Sequence, residues 1–225
     1  PMTTLAPLID HTLLAANATE LDILTLCAEA DTHKFAAVCV LPSRVALAAR
    51  ELEGTSVKVC TVIGFPLGAN TSQTKLHEAR EAVRLGADEL DVVVNIGDVK
   101  DGRWAAVEAE IQALRDELPE HTLKIIFETG LLCEDEKILL ARLCSRVGVD
   151  FVKTSTGSTH GGATVADVIL LRANVSPLVG VKASGGIKTL ENALALVEAG
   201  ATRLGTSHGL ALVKATQASA APADY

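Results

Sequence analysis

The chain alternates short runs of β-branched and aliphatic residues with longer amphipathic stretches along nearly its whole length. The short runs predict strands, and the longer stretches, with apolar residues three and four apart, predict helices. The predicted strands cover residues 8–10, 36–41, 57–63, 89–96, 123–128, 151–154, 178–182 and 203–205. The predicted helices cover 19–29, 43–53, 72–85, 104–118, 134–147, 164–173 and 189–199, and a last short one follows residue 207.

Strict alternation of strand and helix implies a parallel sheet covered by helices. Eight such units close well into a single (β/α)8 TIM barrel, an α/β fold. The alternative is an open, doubly wound sheet, but the G-x-G-x-x-G turn typical of that fold does not follow the first predicted strand. We therefore predict one barrel over residues 1–215 and a flexible, Ala/Pro/Ser-rich tail over residues 216–225.

The composition supports this choice of fold and excludes some classes of partner. With 48% hydrophobic and 21% charged residues, a chain of 225 residues can bury a sizeable core, and disorder is excluded. Aromatic residues make up only 3%, so the core must be aliphatic, which suits a parallel sheet. The net charge of −8 argues against nucleic acid or an anionic membrane as a partner.

The cysteines and the hydropathy indicate the compartment. Five cysteines, an odd number without any Cys-x-x-Cys pair, predict neither a disulfide framework nor a zinc site, and reduced thiols are typical of the cytoplasm. No apolar run approaches the roughly 18 residues of a membrane helix, and no signal peptide is visible. These features predict a cytoplasmic protein. The chain also has no His-x-His or His-Glu-x-x-His cluster, so we expect no bound metal.

Two lysines lie inside predicted strands, each before a turn rich in Ser, Thr and Gly. They are Lys153, in Phe-Val-Lys-Thr-Ser-Thr-Gly, and Lys182, in Val-Gly-Val-Lys-Ala-Ser-Gly-Gly. Because side chains alternate along a strand, both lysines point away from their valine neighbours. If the valines face the helices, the lysines point into the barrel mouth from adjacent strands, the sixth and the seventh.

Two ammonium groups held close together make each other harder to ionise, and partial burial adds to this effect. One lysine then loses its proton near neutral pH and becomes a nucleophile that forms a Schiff base with a carbonyl substrate. The alternative is that each lysine is an ion-pair partner whose head reaches the rim.

Carboxylates are placed where they can reach these lysines. Alternation in Glu-Leu-Asp-Val-Val-Val-Asn at 89–95 points Asp91 into the barrel, where it serves proton transfer or, alternatively, a structural salt bridge. Asp10 ends the first predicted strand, where an aspartate is often only a turn former. Cys39 shares a strand face with Ala37 and Leu41, so the residues alone predict that it belongs to the core.

Glycine-rich turns follow the last three predicted strands, at 156–162, 184–188 and 205–209. Glycine lets backbone N–H groups approach an oxyanion closely, and phosphates often bind to the last turns of such barrels. We therefore predict a phosphate site with Lys188 and Ser207 as side-chain donors and His160 and His208 as possible helpers. The alternative is that the glycines merely permit tight turns.

These motifs resemble the deoxyribose-phosphate aldolase family. The resemblance rests on Phe-Val-Lys-Thr-Ser-Thr-Gly at 151–157, Val-Lys-Ala-Ser-Gly-Gly at 181–186, Gly-Ala-Asp-Glu-Leu-Asp-Val-Val at 86–93 and Ile-Asp-His-Thr-Leu-Leu at 9–14. Val-Cys-Val-Leu-Pro at 38–42 and Gly-Phe-Pro-Leu-Gly at 64–68 also fit, so that it spans residues 8 to about 213 in the family's order.

The resemblance implies a class I aldolase that reversibly cleaves 2-deoxy-D-ribose 5-phosphate to D-glyceraldehyde 3-phosphate and acetaldehyde without a cofactor. It assigns the Schiff base to Lys153, its perturbation to Lys182 and the proton relay to Asp91. It also implies roles in or near the substrate site for Asp10, Cys39, Gly157, Gly185, Gly186, Ser207 and Tyr225, the last on a mobile tail. We further predict Thr12, Lys188 and Gly205 as substrate-binding residues. Oligomeric state stays open, with a homodimer as the candidate assembly.

Two positions depart from the family pattern, and two other functions remain open. Ser158 stands where some members have a lysine, which leaves Lys188 as the basic candidate for the phosphate. His208 stands where a small residue is more usual. The alternatives are another phosphate-binding barrel, such as an isomerase or a transaldolase-like enzyme, and a non-catalytic ligand-binding barrel.

Overall fold

The computed structural model describes residues 4–158 and 160–220. Among these residues, eight parallel strands close into a barrel in sequence order, and the last strand pairs with the first. They are β1 (Ile9–Leu13), β2 (Ala37–Val40), β3 (Lys58–Ile63), β4 (Glu89–Val93), β5 (Thr122–Ile126), β6 (Phe151–Lys153), β7 (Gly180–Ser184) and β8 (Arg203–Thr206). Because Asp10 of β1 lies opposite Gly205 of β8, the sheet is closed. The predicted (β/α)8 barrel is confirmed, and the open sheet is excluded.

Helices follow the strands around the outside of the barrel. Within the described residues they are α1 (Glu20–His33), α2 (Val45–Glu51), α3 (Ser72–Arg84), α4 (Ile96–Lys100), α5 (Trp104–Glu117), α6 (Glu134–Val147), α7 (Val165–Asn174), α8 (Leu190–Glu198) and α9 (Gly209–Ala220). Short 3-10 turns lie at Ala6–Leu8, Pro42–Arg44 and Thr129–Leu131. Sequence reasoning missed α4, because a helix of five residues has too few positions to display an apolar period.

Threonine side chains fix where several helices begin. Thr19 accepts a hydrogen bond from the backbone N–H of Asp22, and the Asp22 carboxylate accepts one from the backbone N–H of Thr19. This reciprocal capping box satisfies two backbone donors at the start of α1. Helices α3, α7 and α8 are capped in the same position by Thr71, Thr164 and Thr189.

Side chains of the strands divide between two environments. Those that point outward are aliphatic and fully buried beneath the helices, for example Val38, Leu90, Ile125, Val152 and Val181. Several that point inward are charged and equally buried: Asp10, Asp91, Lys124, Lys153 and Lys182. The barrel therefore encloses a polar interior within an aliphatic layer, and this interior is where the chemistry must be sought.

The last helix continues beyond the predicted end of the barrel. α9 ends at Ala220, so the first five residues of the predicted tail, 216–220, are helical. Residues 221–225, which include Tyr225, lie outside the described residues, and the boundary between barrel and tail stays a prediction. Across the described part of the chain, no helix combines the length and the apolar character needed to cross a membrane.

Candidate active site

Asp91 lies at the centre of a buried charge cluster. Its Oδ2 accepts hydrogen bonds from Lys153 Nζ at 2.8 Å and from Lys182 Nζ at 2.9 Å. Its Oδ1 accepts a third one from Lys124 Nζ at 2.9 Å, and the side chain is fully buried. One carboxylate thus holds three ammonium groups inside the barrel.

The two lysines singled out from the sequence lie side by side. Lys153 of β6 and Lys182 of β7 are directly opposite each other in the parallel pairing. Their neighbours Val152 and Val181 point outward into the aliphatic layer, as the alternation along each strand predicts. Both ammonium groups therefore project into the barrel at the same level.

Asp10 belongs to the same cluster and is not a turn former. Its Oδ2 accepts a hydrogen bond of 2.5 Å from Lys182, and its Oδ1 accepts one of 2.8 Å from Arg203 Nη1. Like Asp91, it is fully buried. Lys182 is therefore held between two carboxylates.

Three charged residues of this cluster were missed by sequence reasoning. Lys124 donates to Glu89 Oε2 at 2.5 Å, and Arg203 Nη1 donates to the same oxygen at 2.9 Å. The signal for Lys124 was present, since it lies between the apolar Leu123 and Ile125 just as Lys153 lies between its own apolar neighbours. It was overlooked because no turn rich in Ser, Thr and Gly follows β5.

We call the complete set of charged side chains the inner cluster. It has four cations and three carboxylates: Lys124, Lys153, Lys182 and Arg203 with Asp10, Glu89 and Asp91. The carboxylates are held ionised by their neighbours. Burial alone would raise the pKa of Asp91, but Lys124, Lys153 and Lys182 keep it well below its usual range.

One electrostatic expectation from the sequence was wrong. Two neighbouring lysines were expected to lower each other's pKa, yet the pKa of Lys182 is raised above its usual range. Burial and Lys124 would lower it, but Asp10 and Asp91 outweigh them. Lys182 is therefore best described as the ammonium partner of Asp10 and Asp91.

A cavity of about 510 Å³ opens at the carboxyl ends of the strands, above the inner cluster. Lys153 lies at its base, and all three glycine-rich turns contribute to its wall. The lining includes these residues of the sequence prediction: Thr12, Gly157, Gly185, Gly186, Lys188, Gly205 and Ser207. Ser158 and His208 also line it. The structure therefore brings most of the predicted substrate-binding residues to one place.

The glycines in these turns are required by close backbone approaches. Gly157 and Gly185 have φ values of 79° and 89°, in the left-handed region that favours glycine. A Cβ added to Gly162 would lie 2.2 Å from the carbonyl oxygen of Gly185. Two of the turns thus pack backbone against backbone. The Ser207–His208 turn is joined to them because Thr206 Oγ1 donates to the carbonyl of Ile187 at 2.7 Å.

Not every residue predicted from the sequence lines the cavity. Cys39 is fully buried among Ala37, Cys60 and Val62 and does not line the cavity. His208, unlike His160, is part of the lining.

Two groups of side chains have the spacing of metal ligands among the described residues. They are Cys39, Cys60 and Asp91 in one set and Asp10, Cys60 and Glu89 in the other, with ligand atoms within 4.8 Å of one another. Every carboxylate in them already pairs with a lysine or an arginine. A divalent cation would have to displace those partners, so these groups are better described as parts of the inner cluster.

Glu128 is a further residue that the sequence analysis overlooked. It follows β5 with a φ of 55°, which is rare for a residue other than glycine, and it is 1% exposed. Its carboxylate accepts hydrogen bonds from Thr156 Oγ1 at 2.6 Å and from the Thr156 backbone N–H at 3.2 Å. A strained residue thus fixes the turn that follows Lys153.

We expect Glu128→Ala to lower kcat/KM by roughly tenfold to a hundredfold, because the loss of two hydrogen bonds frees the turn that positions Lys153. Glu128→Gln keeps one acceptor and should recover part of the loss. The control is Glu53→Gln, an exposed carboxylate that should behave as wild type. Steady-state kinetics on the three variants test this, and an unchanged kcat/KM in Glu128→Ala would show that the turn holds its shape alone.

Comparison with known proteins identifies the family. The model of the DeoC/LacD family aldolases matches residues 4–215. The chain belongs to this aldolase family. It is therefore a carbon–carbon lyase, and the resemblance inferred from the sequence motifs is confirmed.

Individual relatives of this DeoC/LacD aldolase cover nearly all of it. Deoxyribose-phosphate aldolase of Streptococcus equi subsp. zooepidemicus is 53% identical over 206 residues, which are 92% of this chain and 94% of the relative. That of a Geobacillus species is 52% identical over 211 residues, 93% of this chain and 95% of the relative.

A solved structure agrees with the fold of this DeoC/LacD aldolase. The deoxyribose phosphate aldolase of Aeropyrum pernix, described as a unique tetramer, superposes with a TM-score of 0.88 at 36% identity, covering 95% of this chain and 91% of the other. For the present chain, the homodimer stays a prediction.

Proposed function

We propose that the protein reversibly cleaves 2-deoxy-D-ribose 5-phosphate to D-glyceraldehyde 3-phosphate and acetaldehyde through a Schiff base on Lys153. The observation that carries the proposal is the position of Lys153, which joins the inner cluster to the cavity. Lys124 and Lys182 belong to the cluster but do not line the cavity. The names of the relatives, deoxyribose-phosphate aldolases at 52–53% identity, support the same substrate.

Schiff-base formation requires a neutral amine beside the carbonyl, and among the described residues Lys153 is the member of the inner cluster that lines the cavity. Apart from Lys153, the cluster consists of three cations and three carboxylates that pair with one another. Lys182 stays a cation because Asp10 and Asp91 raise its pKa. The division of roles between the two lysines thus follows from their different neighbours.

In the cleavage direction, Lys153 Nζ attacks the C1 aldehyde of the open-chain sugar, and the resulting carbinolamine loses water to form an iminium ion. The C3 hydroxyl then gives up its proton, the C2–C3 bond breaks, and its electrons move into the iminium nitrogen. Glyceraldehyde phosphate leaves, and an enamine remains. Protonation of the enamine carbon and addition of water release acetaldehyde and the free amine.

Asp91 and Lys182 are placed to move the protons that these steps need. The Asp91 carboxylate accepts hydrogen bonds from both Lys182 and the Lys153 amine, so the path for a proton between these groups is short. Lys182 holds the Asp91 carboxylate in place, and this carboxylate lies within hydrogen-bonding distance of the amine whose protons must move. Water can enter from the cavity to complete the path.

The glycine-rich turns provide the phosphate end of the site. Backbone N–H groups at the start of α9, after Ser207, and in the turns at Gly157 and Gly185 are the donors that bind phosphate in many barrels. Lys188 adds an ammonium group to the wall of the cavity. These local donors explain how a chain of net charge −8 can bind an anionic sugar.

Replacement of Lys188 tests the phosphate end. We expect Lys188→Gln to raise KM for the phosphorylated sugar about tenfold and to change kcat less than about twofold, because the ammonium group binds a remote part of the substrate. The matched control is Lys214→Gln, an exposed lysine on α9 away from the cavity, which should keep the wild-type KM. An unchanged KM in Lys188→Gln would remove this residue from the site.

The reaction itself is tested by product release. The protein is incubated with 2-deoxy-D-ribose 5-phosphate or with unphosphorylated 2-deoxy-D-ribose, and acetaldehyde and the three-carbon product are measured. We expect both products from the phosphate ester and a kcat/KM at least about a hundredfold lower for the free sugar. If no acetaldehyde forms, or if both sugars react equally, the proposed reaction or the proposed phosphate site is wrong.

A further inference from the structure

Two cysteines face each other inside the barrel on neighbouring strands. Cys39 of β2 and Cys60 of β3 are direct partners in the parallel pairing, and both are fully buried. Neighbouring strands lie about 4.8 Å apart, and a disulfide spans Cα atoms that are roughly 4.4–6.8 Å apart. The backbone therefore already has the separation that a disulfide needs.

The sulfur atoms are also close. The two Sγ atoms lie within 4.8 Å of each other. The neighbouring Cys60 thiol, with help from Lys182 and Lys153, lowers the pKa of Cys39 despite its burial. Burial and the neighbouring Cys39 raise the pKa of Cys60 well above its usual value. Cys39 is thus the stronger nucleophile, and Cys60 lies in the place of a resolving thiol.

We propose that Cys39 and Cys60 form a reversible disulfide when a small hydroperoxide reaches the barrel interior. The Cys39 thiolate attacks one peroxide oxygen, the O–O bond breaks, and the departing hydroxide takes up a proton to become water. Cys60 then gives up its proton and attacks the Cys39 sulfenic sulfur, the S–O bond breaks, and a second water leaves. Two thiols are oxidised, and one hydrogen peroxide is reduced to two waters.

The cavity gives a small oxidant a route to the pair. The cysteines belong to a small apolar group that is covered by the half-buried side chains of Leu14, Leu41 and Phe65. Leu14 also lines the 510 Å³ cavity. Leu14 therefore contacts both the cavity and the group of residues that contains the thiols, which places a small peroxide in the cavity close to the pair.

The disulfide would act directly on the inner cluster. Cys60 Sγ donates a hydrogen bond to Asp91 Oδ1 at 3.2 Å and accepts one from Lys124 Nζ at 3.4 Å. Oxidation removes the S–H donor and redirects the sulfur toward Cys39. Because Asp91 positions Lys153, we expect oxidation to lower aldolase activity. The disulfide itself does not depend on the proposed function, whereas this effect on activity rests on it.

The other cysteines provide internal references. Cys133 is exposed, and it reports whether an oxidant dose is effective. Cys27 and Cys144 are buried, and burial raises the pKa of both thiols, that of Cys27 to about 11. Neither is expected to react before Cys39. Trypsin separates the pair, because Cys39 falls in the peptide 35–44 and Cys60 in the peptide 59–75.

The test treats the whole protein with hydrogen peroxide, blocks free thiols by alkylation, and maps tryptic peptides by mass spectrometry without reduction. We expect peptides 35–44 and 59–75 to appear linked, activity to fall at least tenfold, and dithiothreitol to restore both the thiols and the activity. Cys60→Ala should lose the linked species, and Cys133→Ser should keep it. Each variant is compared with its own reduced form.

Separate outcomes overturn separate parts of the inference. Oxidised Cys133 with free Cys39 and Cys60 would show that the pair is out of reach. Sulfenic or sulfinic acid on Cys39 without the linked peptides would disprove the resolving role of Cys60. Linked peptides with undiminished activity would disprove the coupling to Asp91. If the disulfide forms in a protein that never cleaves the sugar phosphate, the proposed function fails and the disulfide stands.

Discussion

Replacing Lys153 with alanine is expected to abolish cleavage of 2-deoxy-D-ribose 5-phosphate, with kcat at least a thousandfold below that of the wild type. The reason is chemical, because without the Nζ atom no iminium ion forms and no electron sink exists for the breaking C2–C3 bond. Lys182 does not take over the role, since Asp10 and Asp91 hold it protonated. Cleavage rates of the variant and the wild type, measured at saturating and at low substrate concentrations, test this directly.

The same variant should remain folded. Lys153 is one of four cations that share three carboxylates, so its removal leaves the inner cluster balanced. We expect the free energy of unfolding in urea to change by less than about 1 kcal/mol. Lys214→Ala, at an exposed position on α9 away from the cavity, is a matched control that keeps the nucleophile. An active Lys153→Ala variant would disprove the nucleophile assignment, and an unfolded one would disprove the charge argument.

Replacing Asp91 with asparagine is expected to damage both stability and catalysis. The substitution leaves three buried ammonium groups without the carboxylate that binds each of them at 2.8–2.9 Å. Removing one partner of a buried ion pair typically lowers the free energy of unfolding by about 3–5 kcal/mol. Urea unfolding at pH 7 measures this, with the exposed Glu53→Gln as the control. A loss below about 1 kcal/mol would contradict the central place of Asp91.

Asp91 also predicts how stability depends on pH. The pKa of its carboxyl in the folded protein lies well below the value of 3.8 expected when it is unfolded. A group of this kind stabilises the fold fully above the unfolded pKa, and this contribution is lost as the pH falls below about 4 toward the folded pKa. Asp91→Asn should therefore unfold with a shallower dependence on pH below about 4. An unchanged acid profile would show that Asp91 is not held ionised by its neighbours.

The barrel fold and the inward position of the two lysines could be predicted from the alternation of side chains along the strands. The period of two placed Val152 and Val181 outside and Lys153 and Lys182 inside, because one face of each strand has to meet the helices. The glycine turns were recognisable because their residues have few other structural uses. Both features are local, and a local pattern is what a single sequence displays.

The parts that could not be predicted depend on residues far apart in the chain. Asp10 lies 172 positions from Lys182, yet it accepts a hydrogen bond from that lysine and helps to reverse its expected pKa shift. The hydrogen bond between Cys60 and Asp91 likewise joins two strands through the barrel interior. Charge balance in a closed barrel is set by all strands together, and alternation in one strand carries no information about it.

The most direct test of the central claim is to trap the intermediate and locate it. The protein is incubated with acetaldehyde and borohydride, digested, and mapped by mass spectrometry. We expect one ethyl group on Lys153 Nζ, a missed tryptic cleavage after that residue, and loss of activity in proportion to the label. An active protein with unmodified Lys153, or an ethyl group on Lys124 or Lys182 instead, would contradict it.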